Sequence, residues 1–237
     1  MLFPGPLTRG TLIRRYKRFL ADVRLDDGGE ITASCPNTGT MMGLCDPGTT
    51  VWLSRHDSPT RKYAHCWELT EHDLGHGLQL VGINTSLPNK IVEQAIAAGA
   101  IAEVAGYPSL RREVMYGVNS RIDLLLERPP AELCYVEIKN VHLSRKAGLA
   151  EFPDCVSERA AKHLVELTDM VREGHRAVML YLIQRGDVDC FQLAPDLDPA
   201  YAAGFARARD AGVEMLAYAC DVTTTEVTLA RRLPFVD

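Results

Sequence analysis

The chain has 237 residues, 46% apolar and 24% charged, which is enough to bury a substantial core in one large or two small domains. Its net charge of −5 is not typical of a nucleic-acid-binding protein, so any such function must depend on local charge. No apolar run approaches the roughly 20 residues of a membrane span, and the N-terminus lacks a signal-peptide pattern, so we expect a cytoplasmic protein without a membrane partner.

Cysteine spacing gives a second exclusion. The seven cysteines are scattered and never form Cys-x-x-Cys, which argues against a disulfide framework and against a zinc ribbon. The sequence therefore predicts reduced, mostly buried thiols.

Residues 1–25 carry a local excess of positive charge, with Asp22 as their one acid and with Tyr16 and Phe19 among the basic residues. The basic residues are Arg9, Arg14, Arg15, Lys17, Arg18 and Arg24. Cations interleaved with aromatic rings can neutralise phosphates and stack on bases, as single-strand-binding surfaces do. We therefore predict nucleic-acid contacts from Arg14, Arg15, Tyr16, Lys17 and Arg18. An exposed strand with arginines on its outer face explains the pattern equally well.

The first 85 residues favour β-structure. Short β-like runs are separated by turns rich in glycine, asparagine and proline, and no helix is predicted. The runs are 8–23, 30–34, 50–54, 63–71 and 78–84. Five strands predict a small five-stranded β-barrel of the oligonucleotide-binding (OB) type, with the long first run bending around the barrel. We assign residues 1–85 to this domain.

From residue 86 the pattern changes, and we assign residues 86–237 to a second, α/β domain. The predicted elements are a helix at 90–98, strands at 112–116, 121–126 and 134–141, a helix at 156–171, a strand at 177–183, a helix at 199–211 and a strand at 213–218. A helix, three antiparallel strands, a helix and a buried strand form the core of the restriction-endonuclease-like, PD-(D/E)xK fold with its mixed sheet. The two-domain chain is therefore predicted to be an OB barrel followed by a nuclease-like domain.

Three residues of the second domain form a candidate catalytic set. Side chains alternate along a strand, so Glu137 and Lys139 point the same way with Cα atoms about 7 Å apart. Asp123 lies on the preceding strand. Two carboxylates at one point repel, and a hard divalent cation, Mg²⁺ or Mn²⁺, relieves the repulsion. Asp123 and Glu137 are thus predicted ligands, and Lys139 is predicted to orient water or offset charge. A surface ion pair is the competing explanation.

Further residues are candidates because of their predicted helix positions. Glu93 is a possible additional metal ligand, although helix glutamates are mostly solvated surface residues. Arg159 and His163, with Lys162 as a weaker candidate, lie where a helix flank can contact phosphate oxygens. Gln184 follows a buried strand, and it is expected either to hydrogen-bond across the site or simply to end the strand.

Several blocks in order carry a resemblance to a known family. They are RYKRFLADV at 15–23, CPNTG at 35–39, VGINT at 81–85, YG at 116–117, SRID at 120–123, YVEIKNV at 135–141, FPD at 152–154 and KHL at 162–164. With them the chain resembles the sugar fermentation stimulation protein A family. The resemblance implies an OB barrel, a nuclease-like domain, DNA binding and a regulatory part in sugar, notably maltose, metabolism. It implies no settled reaction. His142 and Ala160 depart from the residues common at those positions.

Three functions are consistent with the sequence. The first is a DNA-binding regulator that retains a nuclease-like metal site, and the second is an active Mg²⁺-dependent nuclease acting on DNA or RNA. The third is a sugar sensor, for which no dedicated pocket is predicted. The pattern does not distinguish single-stranded from double-stranded substrates and does not indicate an oligomeric state.

Overall fold

Short antiparallel strands build the N-terminal part of the chain in a computed structural model that describes residues 1–58, 60–75 and 77–236. These strands are β1 (Thr8–Tyr16), β2 (Leu20–Leu25), β3 (Glu30–Ser34), β4 (Thr50–Arg55), β5 (His65–His72) and β6 (Gln79–Gly82). Strand β1 pairs with β2 and β4, β2 pairs with β3, and β5 pairs antiparallel with β4 and parallel with β3. The pairing closes β1 to β5 into the predicted five-stranded barrel.

The identity of the barrel strands differs from the prediction at two places. Residues 8–23, predicted as one bent strand, form the β1–β2 hairpin, in which Tyr16 pairs with Leu20. Lys17 and Arg18 make the turn with φ of 50° and 64°, a left-handed backbone that usually marks glycine or asparagine. Because neither residue is a turn former, the pattern concealed the hairpin. Residues 78–84 instead supply β6, which extends the sheet beside β5.

The second domain begins with α1 (Pro88–Ala97), which has a proline in its first turn and is followed by Gly99 at φ 71°. The other helices are α2 (Glu158–Arg172) and α3 (Pro199–Asp210). Helix α2 begins later than predicted because the Ser157 hydroxyl accepts a hydrogen bond from the Ala160 amide and caps the helix. In the described ranges, no helix is both long and apolar enough to cross a membrane.

The strands of this domain form two sheets. They are β7 (Ser109–Tyr116), β8 (Ser120–Arg128), β9 (Glu132–Val141), β10 (Leu143–Lys146), β11 (Gly148–Phe152), β12 (Arg176–Ile183), β13 (Val188–Leu193), β14 (Glu214–Val222) and β15 (Val227–Arg232). The main sheet has the order β15-β14-β12-β9-β8-β7, with β9, β12 and β14 parallel and the outer pairs antiparallel. This arrangement confirms the predicted mixed-sheet α/β domain. Strands β10, β11 and β13, which form the small sheet, and β15 were not predicted.

Apolar cores cover both faces of the main sheet. Strand β12 is buried along nearly its whole length, as its apolar run predicts. On one face α1 packs with Val136 and Ile138 of β9, and on the other face α2 and α3 pack with Tyr181 and Phe191. The cysteines of the described residues are free, and four of them are buried. The sheet therefore holds β9 rigidly between two cores.

Two loops of the N-terminal domain are joined by hydrogen bonds beside the predicted domain boundary. The Asn37 amide donates to the Ile83 carbonyl at 3.0 Å, and the Thr85 hydroxyl donates to the Pro36 carbonyl at 2.7 Å. The loop that contains Asn37 and the loop that contains Thr85 are therefore held together by these two hydrogen bonds. The predicted boundary after residue 85 lies in this region and stays a prediction.

Gln184 occupies the junction between the domains rather than the candidate site. Its side chain donates to Asn140 at 2.6 Å and to the Asn84 carbonyl at 3.2 Å, while its backbone carbonyl accepts from the Gly82 amide. A Cβ atom on residue 82 would lie 2.6 Å from the Gln184 side chain, so glycine is required there for close approach.

Asp154 forms a second link across the junction. Its carboxylate accepts a hydrogen bond from the Met41 amide at 3.0 Å and lies 3.3 Å from His142. Burial alone would raise the pKa of Asp154, but His142 and the Met41 amide outweigh it and hold this pKa at about 2. The charged form of Asp154 is therefore favoured by the folded state.

We expect Asp154→Asn to lower the free energy of unfolding at neutral pH by about 2 kcal/mol, the value of a depression of nearly two pKa units. Because the folded pKa lies below the ordinary 3.8, this stability is present above pH 3.8 and is lost as pH falls towards 2. Urea denaturation from neutral pH downwards tests this. The difference in unfolding free energy between wild type and Asp154→Asn should narrow below about pH 4. Asp189→Asn, which changes a side chain that is 88% exposed, serves as the control. A difference independent of pH would contradict the charge argument.

Candidate functional site

Strands β8 and β9 bring the two predicted acidic ligands together. The antiparallel register pairs Leu124 with Val136, so Asp123 and Glu137 follow as neighbours. The Ile138 amide donates to one oxygen of Asp123 at 2.7 Å, and the Asn89 side chain donates to the other at 2.8 Å. Asp123 is thus held by β9 and α1.

Glu137 is buried, with 3% of its surface exposed. Lys139 donates to its Oε1 at 2.8 Å, and His163 of α2 contacts the same oxygen through Nδ1. The other oxygen, Oε2, is buried without a hydrogen-bond partner among the described residues. Glu137 therefore has two cationic or polar partners on one oxygen and a free acceptor on the other.

The pKa values of the two carboxylates are shifted in opposite directions. Burial, and then the charge of Glu137, raises the pKa of Asp123 to about 6 despite the opposing hydrogen bonds from Ile138 and Asn89. Burial would also raise the pKa of Glu137, but Lys139 and His163 together hold that pKa below its ordinary value. A cation would relieve the repulsion that Asp123 experiences.

These residues fit a hard divalent cation. Asp123 and Glu137 supply carboxylate oxygens on adjacent strands, and the buried Oε2 of Glu137 lacks a partner within the described ranges. The carboxylate of Glu93 forms an ion pair with Arg112. The α1 side chain that contacts Asp123 is Asn89, one turn earlier. The assignment of Glu93 as a ligand stays a prediction.

Sequence reasoning missed two groups beside the carboxylates. The Tyr116 hydroxyl is buried without a hydrogen-bond partner in the part of the chain described, and burial together with Glu137, Glu166 and Asp123 raises its pKa. Asn89, which precedes the predicted helix at 90–98, donates to Asp123. No sequence signal identifies either group, because their contacts depend on how α1 and β7 pack against the sheet.

A cleft of about 820 Å³ lies beside the site, between the β7–β8 hairpin and α2. Arg121, Arg159, Lys162 and His163 line it, so the predicted phosphate-contacting helix residues share one wall. Lys162 donates to the Val118 carbonyl at 2.6 Å and the Ser120 hydroxyl at 3.1 Å. Exposed Arg121 and Arg159 leave the cleft open to an anion.

Part of the predicted basic surface on the barrel is engaged within the protein. Arg14 pairs with Asp22 at 2.8 Å and stacks on the Tyr16 ring, and Tyr16 also donates to Asp22 at 3.1 Å. At the hairpin tip Lys17 and Arg18 are exposed, next to Phe19, which is 52% exposed. The tip therefore presents two exposed cations beside an exposed aromatic ring.

Arg15 holds the hairpin against the next loop. Its guanidinium donates to the Asn37 and Gly39 carbonyls at 2.8 Å each and to the Arg18 carbonyl at 2.9 Å. Arg15 therefore has a structural role in joining the hairpin to this loop. A role in nucleic-acid binding stays a prediction for Arg15, as it does for Arg14 and Tyr16.

Comparisons with known proteins give matches over nearly the whole chain. A model described as the SfsA N-terminal OB domain matches residues 13–83, and one described as the sugar fermentation stimulation protein RE domain matches residues 86–226. A sugar fermentation stimulation protein homolog of Rhizobium meliloti is 56% identical, covering 97% of this chain and 95% of the relative. One from Rhodospirillum centenum is 57% identical and covers 98% of each chain.

A solved structure is also similar. It is that of Pyrococcus furiosus SfsA in complex with Ca²⁺, with a TM-score of 0.87 and 26% identity over 100% of this chain and 98% of that chain. The likeness includes both domains and their junction, because it extends over the full length.

We expect Asp123→Asn to stabilise the metal-free protein. Because the folded pKa of Asp123 is raised to about 6 from 3.8, ionisation costs stability as pH rises through this window, about 3 kcal/mol at most. In EDTA at about pH 8 the variant should gain about 1 to 3 kcal/mol in urea denaturation, and the gain should shrink at about pH 5. The control is Asp169→Asn, on the exposed side of α2. No gain at pH 8 would contradict the repulsion.

Proposed function

The chain belongs to the sugar fermentation stimulation protein family, and from its site we propose that it binds DNA in the cleft and cleaves the phosphodiester backbone with a divalent cation. One observation carries this proposal. The carboxylates of Asp123 and Glu137 lie on adjacent strands with Lys139 beside Glu137, next to a cleft whose lining includes Arg121, Arg159 and Lys162. Without a cation the carboxylates would repel phosphate, so the arrangement favours a metal-dependent reaction over simple binding.

Asp123 and Glu137 would hold the cation, Mg²⁺ or Mn²⁺. Support comes from the solved structure of Pyrococcus furiosus SfsA, which is in complex with Ca²⁺. Ca²⁺ is another hard cation that prefers oxygen ligands. When bound, such a cation polarises a phosphodiester and acidifies water.

The surrounding side chains position the substrate. Lys139, whose ammonium lies 2.8 Å from Glu137, can orient the attacking water or offset charge that develops on phosphate. Arg121 and Arg159 can each contact a phosphate oxygen from opposite walls of the cleft. His163 fixes Glu137 from α2, a positioning role that its buried contact supports.

The barrel extends the DNA-binding surface. Exposed Lys17 and Arg18 can neutralise phosphates, and exposed Phe19 offers a ring for base stacking. Stacking requires bases that are not paired within a duplex, so this tip favours single-stranded or locally opened DNA, or RNA.

A second function is a DNA-binding regulator of sugar metabolism that does not cut. The observation in its favour is that three basic or aromatic side chains are exposed at the hairpin tip of the barrel, separate from the carboxylates. The family name supports a link to sugar fermentation, and a link to maltose is part of this second proposal.

Glu137→Gln and Lys139→Met are expected to abolish cleavage, with a loss of at least about 100-fold, because the first removes a ligand of the cation and the second removes the positive charge beside the reacting phosphate. Single-stranded and double-stranded DNA and RNA, each with Mg²⁺ or Mn²⁺ and then with EDTA, are the substrates to assay. Glu158→Gln, an acid at the rim of the same cleft, is the matched control and should retain activity. Cleavage that survives Glu137→Gln, or no cleavage of any substrate by the wild type, would contradict the nuclease proposal.

Replacing both Lys17 and Arg18 by alanine should weaken DNA binding and reduce the slope of log affinity against log salt by about 1 to 2, since each cation releases roughly one counterion. Fluorescence anisotropy at several salt concentrations measures this. The control is Arg172→Ala, which removes an exposed cation of α2 instead of the hairpin tip; the Arg172 side chain is 70% exposed. An unchanged slope would exclude the hairpin tip from the interface and would leave the cleavage test unaffected.

A further inference from the structure

Three side chains of different donor types converge on the outer face of the barrel wall, outside the nuclease-like site, since Leu53 and Trp67 of the same strands face the barrel core. They are His56, Cys66 and Glu68, whose potential ligand atoms all lie within 4.8 Å of one another. Cys66 and Glu68 are two residues apart on β5 and share a face, and His56 follows β4. Ser54 pairs directly with Cys66 across the two strands, and the His56 amide continues the ladder to the Ala64 carbonyl. Strand pairing therefore determines the cluster.

The cluster contains a buried acid that forms no ion pair with a lysine or arginine of the described residues. Glu68 is 4% exposed, and its two oxygens accept hydrogen bonds from the Ser54 hydroxyl at 2.6 Å and the Asn84 amide at 2.7 Å. Both donors are neutral. A buried carboxylate is costly unless opposite charge or several hydrogen bonds compensate for it.

Charge and donor type together favour one metal. A thiolate, a carboxylate and a neutral imidazole total two negative charges, which a single divalent cation cancels. Zinc binds sulfur, nitrogen and oxygen donors in this mixture, whereas Mg²⁺ and Ca²⁺ require oxygen. The set therefore differs in chemistry from Asp123 and Glu137.

We propose that His56, Cys66 and Glu68 bind one zinc ion on the outer face of the barrel wall. The thiol proton of Cys66 leaves to solvent as the Zn–S bond forms, and no electron is transferred. With three protein ligands, a tetrahedral zinc ion would take water as its fourth ligand. His56 is only partly buried, which gives the ion a route into the cluster.

The cost of binding is that the thiol must ionise in a buried place. Burial, and then the neighbouring Glu68, raises the pKa of Cys66 to about 12, so the metal-free cluster keeps its thiol protonated. Zinc reverses this balance because its charge deprotonates a coordinating thiol. The same ion would join the end of β4 to β5 and, through Glu68 and Asn84, to the domain junction.

Cobalt substitution separates this cluster from the nuclease-like site. Full-length reduced protein is stripped with EDTA and titrated with Co²⁺, which gives a thiolate-to-metal charge-transfer band only when sulfur is a ligand. We expect one equivalent of Co²⁺ to produce the band and one equivalent of Zn²⁺ to abolish it. The carboxylate and imidazole donors of Asp123, Glu137 and His163 cannot produce such a band.

Matched variants identify the ligands. Cys66→Ser should remove the band, and His56→Gln should weaken Co²⁺ binding by more than the roughly 10–100-fold typical of an outer-shell change. Cys45→Ser and His65→Gln, a thiol and an imidazole outside the cluster, should leave binding unchanged. His56 is only partly buried, so its variant should keep the fold, which circular dichroism checks. Absence of the band in the wild type, or its retention in Cys66→Ser, would overturn the proposal.

Discussion

Two acidic side chains held side by side, Glu137 buried and Asp123 partly buried, are the constraint on which the nuclease-like domain depends. Asp123 and Glu137 cannot both be charged in this place without compensation, and the fold provides it from several directions. The Ile138 amide and Asn89 serve Asp123, while Lys139 and His163 serve Glu137. Because these partners come from different elements, the carboxylates connect β8, β9, α1 and α2. Loss of any one partner leaves buried charge unpaired, which is costly.

The barrel is coupled to this site through polar contacts rather than through a linker alone. Gln184 ends β12, the strand beside β9, and bonds both Asn140 of β9 and the Asn84 carbonyl at the junction. Asp154 bonds the Met41 amide from the segment between β11 and α2. The first connection contacts β9, and the second starts a few residues before the cleft-lining helix α2. A substrate that spans barrel and cleft would therefore meet a surface of defined geometry.

The features predictable from sequence are those carried by periodicity. Alternation along β9 placed Glu137 and Lys139 on one face, and the helical period of α2 placed His163 towards the core edge. Contacts that depend on tertiary packing escaped prediction. Asn89, rather than Glu93, contacts Asp123 because α1 meets the sheet through its first turn, and periodicity does not determine that docking.

Other errors have local causes. The β1–β2 turn went unrecognised because Lys17 and Arg18 adopt left-handed backbone conformations that their residue types do not signal. Short strands such as β10 and β13 mix buried and exposed positions without clear alternation. Arginine patterns were ambiguous for a different reason. A guanidinium that binds carbonyls, as Arg15 does, has the same sequence appearance as one that faces phosphate.

The barrel has one narrow seam. Strand β3 meets β5 through a single register pair in the described residues, Ser34 with Cys66, whereas the other barrel pairs extend over several residues. Few hydrogen bonds must break for the barrel to open there into a curved sheet, so local opening has its lowest free energy along this line. Amide hydrogen exchange in the barrel should accordingly be fastest beside Ser34 and Cys66. Opening at this seam would expose the inner face of the barrel without global unfolding.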